Sequence, residues 1–125
     1  MAVVWGVAAA GFLGAAARYG IGFLLPHGDG TGLPWATLFV NLSGSLLLGL
    51  LIGRAARRPM PEWLREAAGT GFLGAFTTFS AFNAELSALV RNEAYASAAL
   101  YVLLSGGAGW LAAAAGLAWG RGKSS

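Results

Sequence analysis

The sequence predicts an all-α membrane protein with four transmembrane helices, the third of them broken near its middle. Three observations carry that prediction. First, 57% of the 125 residues are hydrophobic and only 10% are charged, with a mean hydropathy of +0.65. A soluble domain carries about 25% charged residues, so this chain cannot coat itself with polar groups. Second, the apolar residues fall into four runs, each near the roughly 20 residues that a helix needs to cross a bilayer. Third, one run contains Gly71-Phe72-Leu73-Gly74-Ala75-Phe76-Thr77-Thr78-Phe79-Ser80-Ala81-Phe82. Two glycines, paired β-branched threonines and a serine weaken a helix at bilayer depth. Irregular backbone is tolerated there only where it is buried in protein or lines a wet cavity.

The spans are expected at roughly 3–25, 33–53, 67–90 and 95–119, and they nearly use up the chain. Residues 1–125 therefore read as a single transmembrane domain. The first span begins without a basic leader region, so it is expected to be a membrane span and not a cleaved signal peptide. It carries Arg18 and Tyr19 near its far end and is followed by a turn-rich loop, Pro26-His27-Gly28-Asp29-Gly30-Thr31-Gly32. His27 has no partner pattern and is not expected to bind a ligand. Trp35 opens the second span as an interfacial anchor. Residues 54–66 form a charged loop with Pro59, Pro61 and Trp63. The third span holds the glycine-threonine stretch, Arg91-Asn92-Glu93 forms a short turn, and the fourth span ends in a basic tail. Gly49 with Gly53, and Gly116 with Gly120, are spaced to let helix backbones approach closely. Packing inside the bundle is their expected use.

Charge and cysteine content limit the function further. The sequence has no cysteine, which excludes disulfides and thiolate metal sites. Its eight Lys/Arg mostly flank the spans and suit anionic headgroups, not nucleic acid. No nucleophile–base or metal constellation points to an enzyme. The side of the N-terminus carries Arg54, Arg57, Arg58, Arg65, Arg121 and Lys123, against Arg91 on the other. The positive-inside rule then favours cytoplasmic termini.

Few polar residues lie inside the spans, and they form a seam. Thr37, Asn41 and Ser45 recur every four residues and share one helix face. Phe79 and Phe82 are i,i+3 neighbours, and Tyr101 and Ser105 are i,i+4 neighbours. With spans alternating in direction, Asn41, Tyr101, Phe79, Phe82, Arg18 and Glu85 gather in one half of the bilayer. One chain thus supplies half a pathway, and an inverted second copy would supply the rest. Charges within spans are expensive and tend to be functional, so Arg18 and Glu85 are expected to form an ion pair or a vestibule.

With these residues in hand, the chain resembles the CrcB/Fluc family of fluoride channels over essentially its whole length. The matching pieces are Gly14-Ala15-Ala16-Ala17-Arg18-Tyr19, Thr37-Leu38-Phe39-Val40-Asn41-Leu42-Ser43-Gly44, and Gly71 to Phe82. The resemblance implies an antiparallel, dual-topology dimer in the bacterial inner membrane, with two fluoride pores and a central structural sodium ion. It implies that Phe79 and Phe82 line the pores with Asn41, and that Tyr101 and Ser105 form a polar track. Carbonyls of Gly74 and Thr77 would hold sodium, the helix breaking at Gly74. Thr37 and Ser80 add hydroxyl donors. Ala75 and Ala81 depart from the family's Gly-Gly-x-Thr-Thr-Phe-Ser-Thr-Phe. Given the charge bias, the second subunit is either the same chain or a related chain of opposite bias. Two other readings fit a small four-span chain. A multidrug exporter needs a carboxylate in the first span, which is absent. A non-transporting assembly subunit leaves Asn41, the phenylalanine pair and the broken helix unexplained.

Overall fold

The computed structural model describes residues 1–25 and 31–122, and all regular structure among them is helical. His27 and most of its loop, and Lys123 in the basic tail, lie outside the described residues. Helix α1 spans Ala2–Leu24 and α2 spans Trp35–Arg57. A short helix α3, Glu62–Glu66, leads directly into a π-helical segment, Ala67–Leu73, and a last turn α4, Gly74–Phe76. After Thr77 and Thr78 the chain resumes as α5, Phe79–Arg91. Helix α6, Tyr95–Leu103, a second π-helical segment, Leu104–Ala108, and α7, Gly109–Arg121, form one continuous run. Both π-helical segments coincide with glycine-containing stretches, Gly69 and Gly71 in the first and Gly106 and Gly107 in the second.

Three helical runs, Ala2–Leu24, Trp35–Arg57 and Tyr95–Arg121, are long and apolar enough to cross a membrane. The fourth expected span is divided at Thr77–Thr78 into pieces too short to qualify alone. Two expectations are corrected here. The second helix runs four residues beyond Gly53 and takes Arg54 and Arg57 into its last turn. Arginine is a good helix former and its charge suits the negative C-terminal end of the helix dipole. The helix ends at Arg58, which precedes Pro59 and is therefore forced to extended backbone, φ −134° and ψ 141°. The break also lies later than Gly74. Gly74 is helical, at φ −62° and ψ −37°, whereas Thr77 and Thr78 are extended, at ψ 157° and 121°.

Helix α2 is the centre of the fold. One buried cluster joins Leu38 to Leu89, Ala98 and Tyr101, with Phe82 packed against it. A second joins Val40 to Leu73 and Phe76, with Ala17 and Ile21 of α1 alongside. Toward its C-terminus α2 lies directly on α7. A Cβ added at Gly49 would strike the Ala113 carbonyl, one at Gly53 the Leu117 carbonyl, one at Gly116 the Leu46 carbonyl, and one at Gly120 the Leu50 carbonyl. The glycine pairs therefore pack inside the subunit, backbone on backbone. Gly14 of α1 meets the Phe72 backbone in the same manner. The outer faces are strongly apolar: Trp5, Phe12, Phe23, Trp110, Leu111 and Trp119 are all exposed. Such a surface is a lipid-facing or subunit-facing one.

Candidate ion pathway

The break in the third helix is held by a pair of reciprocal hydrogen bonds from α2. Asn41 Nδ2 donates to the Thr78 carbonyl at 3.0 Å, and the Thr78 N–H donates to Asn41 Oδ1 at 2.8 Å. In an unbroken helix the Thr78 N–H would serve the carbonyl four residues earlier, Gly74. Thr78 is also the N-cap of α5: its Oγ1 accepts from the Ala81 N–H at 3.1 Å. That N–H would otherwise serve Thr77. The two carbonyls that sequence singled out, Gly74 and Thr77, thus both lose their helical donors to side chains. The Thr77 hydroxyl turns back to the Leu73 carbonyl at 2.9 Å, and its methyl fits where Gly44 has no side chain. An open cleft of about 320 Å³ runs past Asn41, Gly74, Thr77, Thr78 and Phe79. Carbonyls without donors beside a cleft are the oxygen ligands a hard cation takes. Among the described residues there is no carboxylate–histidine–cysteine cluster that would hold a metal by side chains.

The aromatic and hydroxyl residues form a second group, one helix away. Phe79 and Phe82 stack on α5 with ring centroids 5.8 Å apart. They face different surroundings: Phe79 is 73% exposed, while Phe82 packs against Tyr101 with centroids 4.9 Å apart. The Tyr101 hydroxyl is buried facing Thr37 and Glu85, with no partner at full hydrogen-bond geometry. The Ser105 hydroxyl, in the second π-helical segment, is likewise buried and unpaired. Nearly all buried polar atoms in native proteins have partners, so two orphaned donors one turn apart demand an explanation. Ser80 is exposed, its hydroxyl 3.3 Å from that of Thr78.

Arg18 and Glu85 line the same cleft, about 470 Å³, together with Tyr19, Thr37 and Thr78. Among the described residues no ion pair joins them. Arg18 Nε donates to the Ala75 carbonyl at 2.9 Å, and Glu85 accepts from the Thr37 hydroxyl at 2.5 Å. The two side chains thus share a cleft without pairing with each other. The structure adds one residue to the expected set, Thr78, whose N–H, carbonyl and hydroxyl are all engaged at the break. A threonine immediately before the apolar run of a helix is an N-cap signal, and that signal was present.

Taken together, fold and site define a multi-pass helical membrane protein with a helix broken beside a polar seam. Residues 5–117 match the family described as "CrcB-like protein, Camphor Resistance (CrcB)", and the chain belongs to this family. It is 47% identical to a protein named fluoride-specific ion channel FluC from Rhodospirillum centenum, over 84% of each chain. It is 42% identical to fluoride-specific ion channel FluC 2 of Geobacillus kaustophilus, over 90% of this chain and 88% of that one. With fluoride-specific ion channel FluC 1 of Symbiobacterium thermophilum it shares 43% identity, over 92% of this chain and 96% of the relative.

Proposed function

We propose that the protein is a fluoride-selective channel of the bacterial inner membrane, through which fluoride leaves the cell down its electrochemical gradient. The observation that carries this reading is the Tyr101 hydroxyl, buried without a protein partner against the Phe82 ring, with a second such hydroxyl at Ser105 one turn further along the helix. Fluoride is a small, strongly hydrated acceptor and gives up water only to a succession of donors. Tyrosine, serine, threonine and asparagine side chains are such donors. Phenyl rings carry positive edges, so Phe79 and Phe82 offer the anion a weakly favourable wall without a fixed cation. Several weak sites let an ion enter and leave, where one strong site would trap it. Arg18, lining the wider cleft together with Glu85, would supply a positive charge toward anions there.

The segment from Glu62 to Arg91 crosses the membrane as one broken span, making four spans in all. The functional unit is an antiparallel dimer, because one subunit exposes Phe79 and leaves the Asn41 cleft open along one side. The second subunit is the same chain or a related one. Cysteine-accessibility mapping of both termini in cells separates the two: this chain in both orientations means a homodimer. The carbonyls of Gly74 and Thr77 would hold a structural sodium ion at the dimer centre, where it would neutralise converging carbonyl dipoles.

The test is fluoride efflux from liposomes carrying the purified protein, with chloride as the control. Fast fluoride release with negligible chloride release is expected; equal chloride flux, or none of either ion, defeats the channel reading.

A further inference from the structure

We propose that Asn41 is a positioning residue for both ions at once: its side chain opens the helix break that bares the cation-binding carbonyl, and the same bonds fix its remaining N–H as an anion donor. The proposal rests on the channel and sodium readings above and deepens them.

The argument is one of hydrogen-bond capacity. An asparagine side chain has two N–H donors and one carbonyl acceptor. One N–H of Asn41 goes to the Thr78 carbonyl, and its Oδ1 takes the Thr78 N–H. Those two bonds run in opposite senses, so the amide has one allowed orientation. A flipped amide would set NH₂ against N–H and oxygen against oxygen. The second N–H of Nδ2 is left over, and it is held rigid by the first two bonds. On the other side of the bracket, the Thr78 N–H is withdrawn from Gly74. Without Asn41 that N–H has a ready acceptor in the Gly74 carbonyl, and the last turn of α4 can extend by a residue. The carbonyl needed for the cation would then be consumed by the helix. Asn41 lies on α2 and Thr78 is 37 positions away, so the two ion sites are joined by a contact between elements and not by local chain geometry.

The coupling has a specific signature. Asn41→Ala removes both bracket bonds, so it should lose fluoride flux and also raise the sodium concentration needed for stabilisation at least tenfold. Phe82→Ile, which touches neither bond, should lose flux with the sodium midpoint unchanged.

The experiment is thermal melting of the purified protein by tryptophan fluorescence, titrated with sodium chloride against N-methylglucamine chloride at constant ionic strength. Size-exclusion chromatography selects assembled protein, and Asn41→Ser is a second variant should Asn41→Ala fail to assemble. The expected result is a right-shifted sodium curve for Asn41→Ala or Asn41→Ser alone. A sodium midpoint in those variants equal to wild type overturns the coupling while leaving the sodium site standing. A wild-type protein indifferent to sodium overturns the sodium site and the coupling with it.

Discussion

The Phe82 ring lies against the Tyr101 ring with centroids 4.9 Å apart and planes tilted by 46°, while the Tyr101 hydroxyl, on a residue with 0% exposure, has no protein partner at full hydrogen-bond geometry. The aromatic contact explains why the ring is there. The hydroxyl has no protein partner at full hydrogen-bond geometry, and left without an ion or a water it would forfeit about 1–3 kcal/mol. On the channel reading, a hydroxyl left open in the middle of the polar seam is one kept for the ion. Tyr101→Phe keeps the ring and removes the hydroxyl. It is expected to raise the melting temperature, by a stabilisation of about 1 kcal/mol, and to lower fluoride flux several-fold. Melting curves and liposome efflux on the same preparation check both halves.

The glycines of α2 and α7 separate packing from freedom. A Cβ at Gly49 would press on the Ala113 carbonyl and on the Leu117 nitrogen at 2.9 Å, whereas Gly20 has nothing within 4 Å. Gly49→Ala must push two helix backbones apart, a displacement that costs about 1–3 kcal/mol. Gly20→Ala is expected to be neutral or mildly stabilising, because alanine is the better helix former. Thermal unfolding of the two variants in the same detergent makes the comparison.

The three helices long and apolar enough to cross a membrane were legible in sequence because bilayer thickness sets such a helix's length and apolar composition announces it. The position of the break was not. By propensity Gly74 is the weak point, yet it stays helical, and the helix stops where Asn41 takes the Thr78 N–H. That competitor comes from another helix, and no local scale weighs it. The same reason undid the expected Arg18–Glu85 pair: each found a nearer partner, the Ala75 carbonyl and the Thr37 hydroxyl. The seam itself was readable, since Thr37 and Asn41 share a face by helical period alone. The π-helical segments had no periodic signal, only their glycines.

Arg18 shares its cleft with Glu85 and Thr37 and is tied to the backbone through Nε. On the channel reading its charge would act as a fixed attractor for the anion. Such steering is strong at low salt and screened at high salt, the Debye length falling from about 30 Å at 0.01 M to about 8 Å at 0.15 M. Arg18→Gln is expected to cut fluoride flux several-fold at about 0.01 M ionic strength and less at about 0.15 M. Efflux measured across that range checks it. A deficit independent of salt would assign Arg18 to bracing Ala75 instead.

Glu93 offers a test of the fold that leaves the pathway untouched. It is the one non-glycine residue with positive φ, 58°, among the described residues. The reason is the end of α5, where the Glu93 N–H reaches the Val90 carbonyl at 3.0 Å and the Ala94 N–H reaches the Leu89 carbonyl at 2.8 Å. That bond pattern ends a helix with one residue in the left-handed region, a place glycine usually takes. A side chain there meets the following carbonyl at a cost of roughly 1–2 kcal/mol. Glycine is also looser in the unfolded chain, which returns part of the gain. Glu93→Gly is therefore expected to stabilise by under about 1 kcal/mol, whereas Glu93→Val, β-branched at the same φ, should destabilise by more than that. Melting temperatures of the two variants, with fluoride flux unchanged in Glu93→Gly, are the measurement. A glycine variant less stable than wild type would mean that the Glu93 side chain makes a contact outweighing its backbone strain.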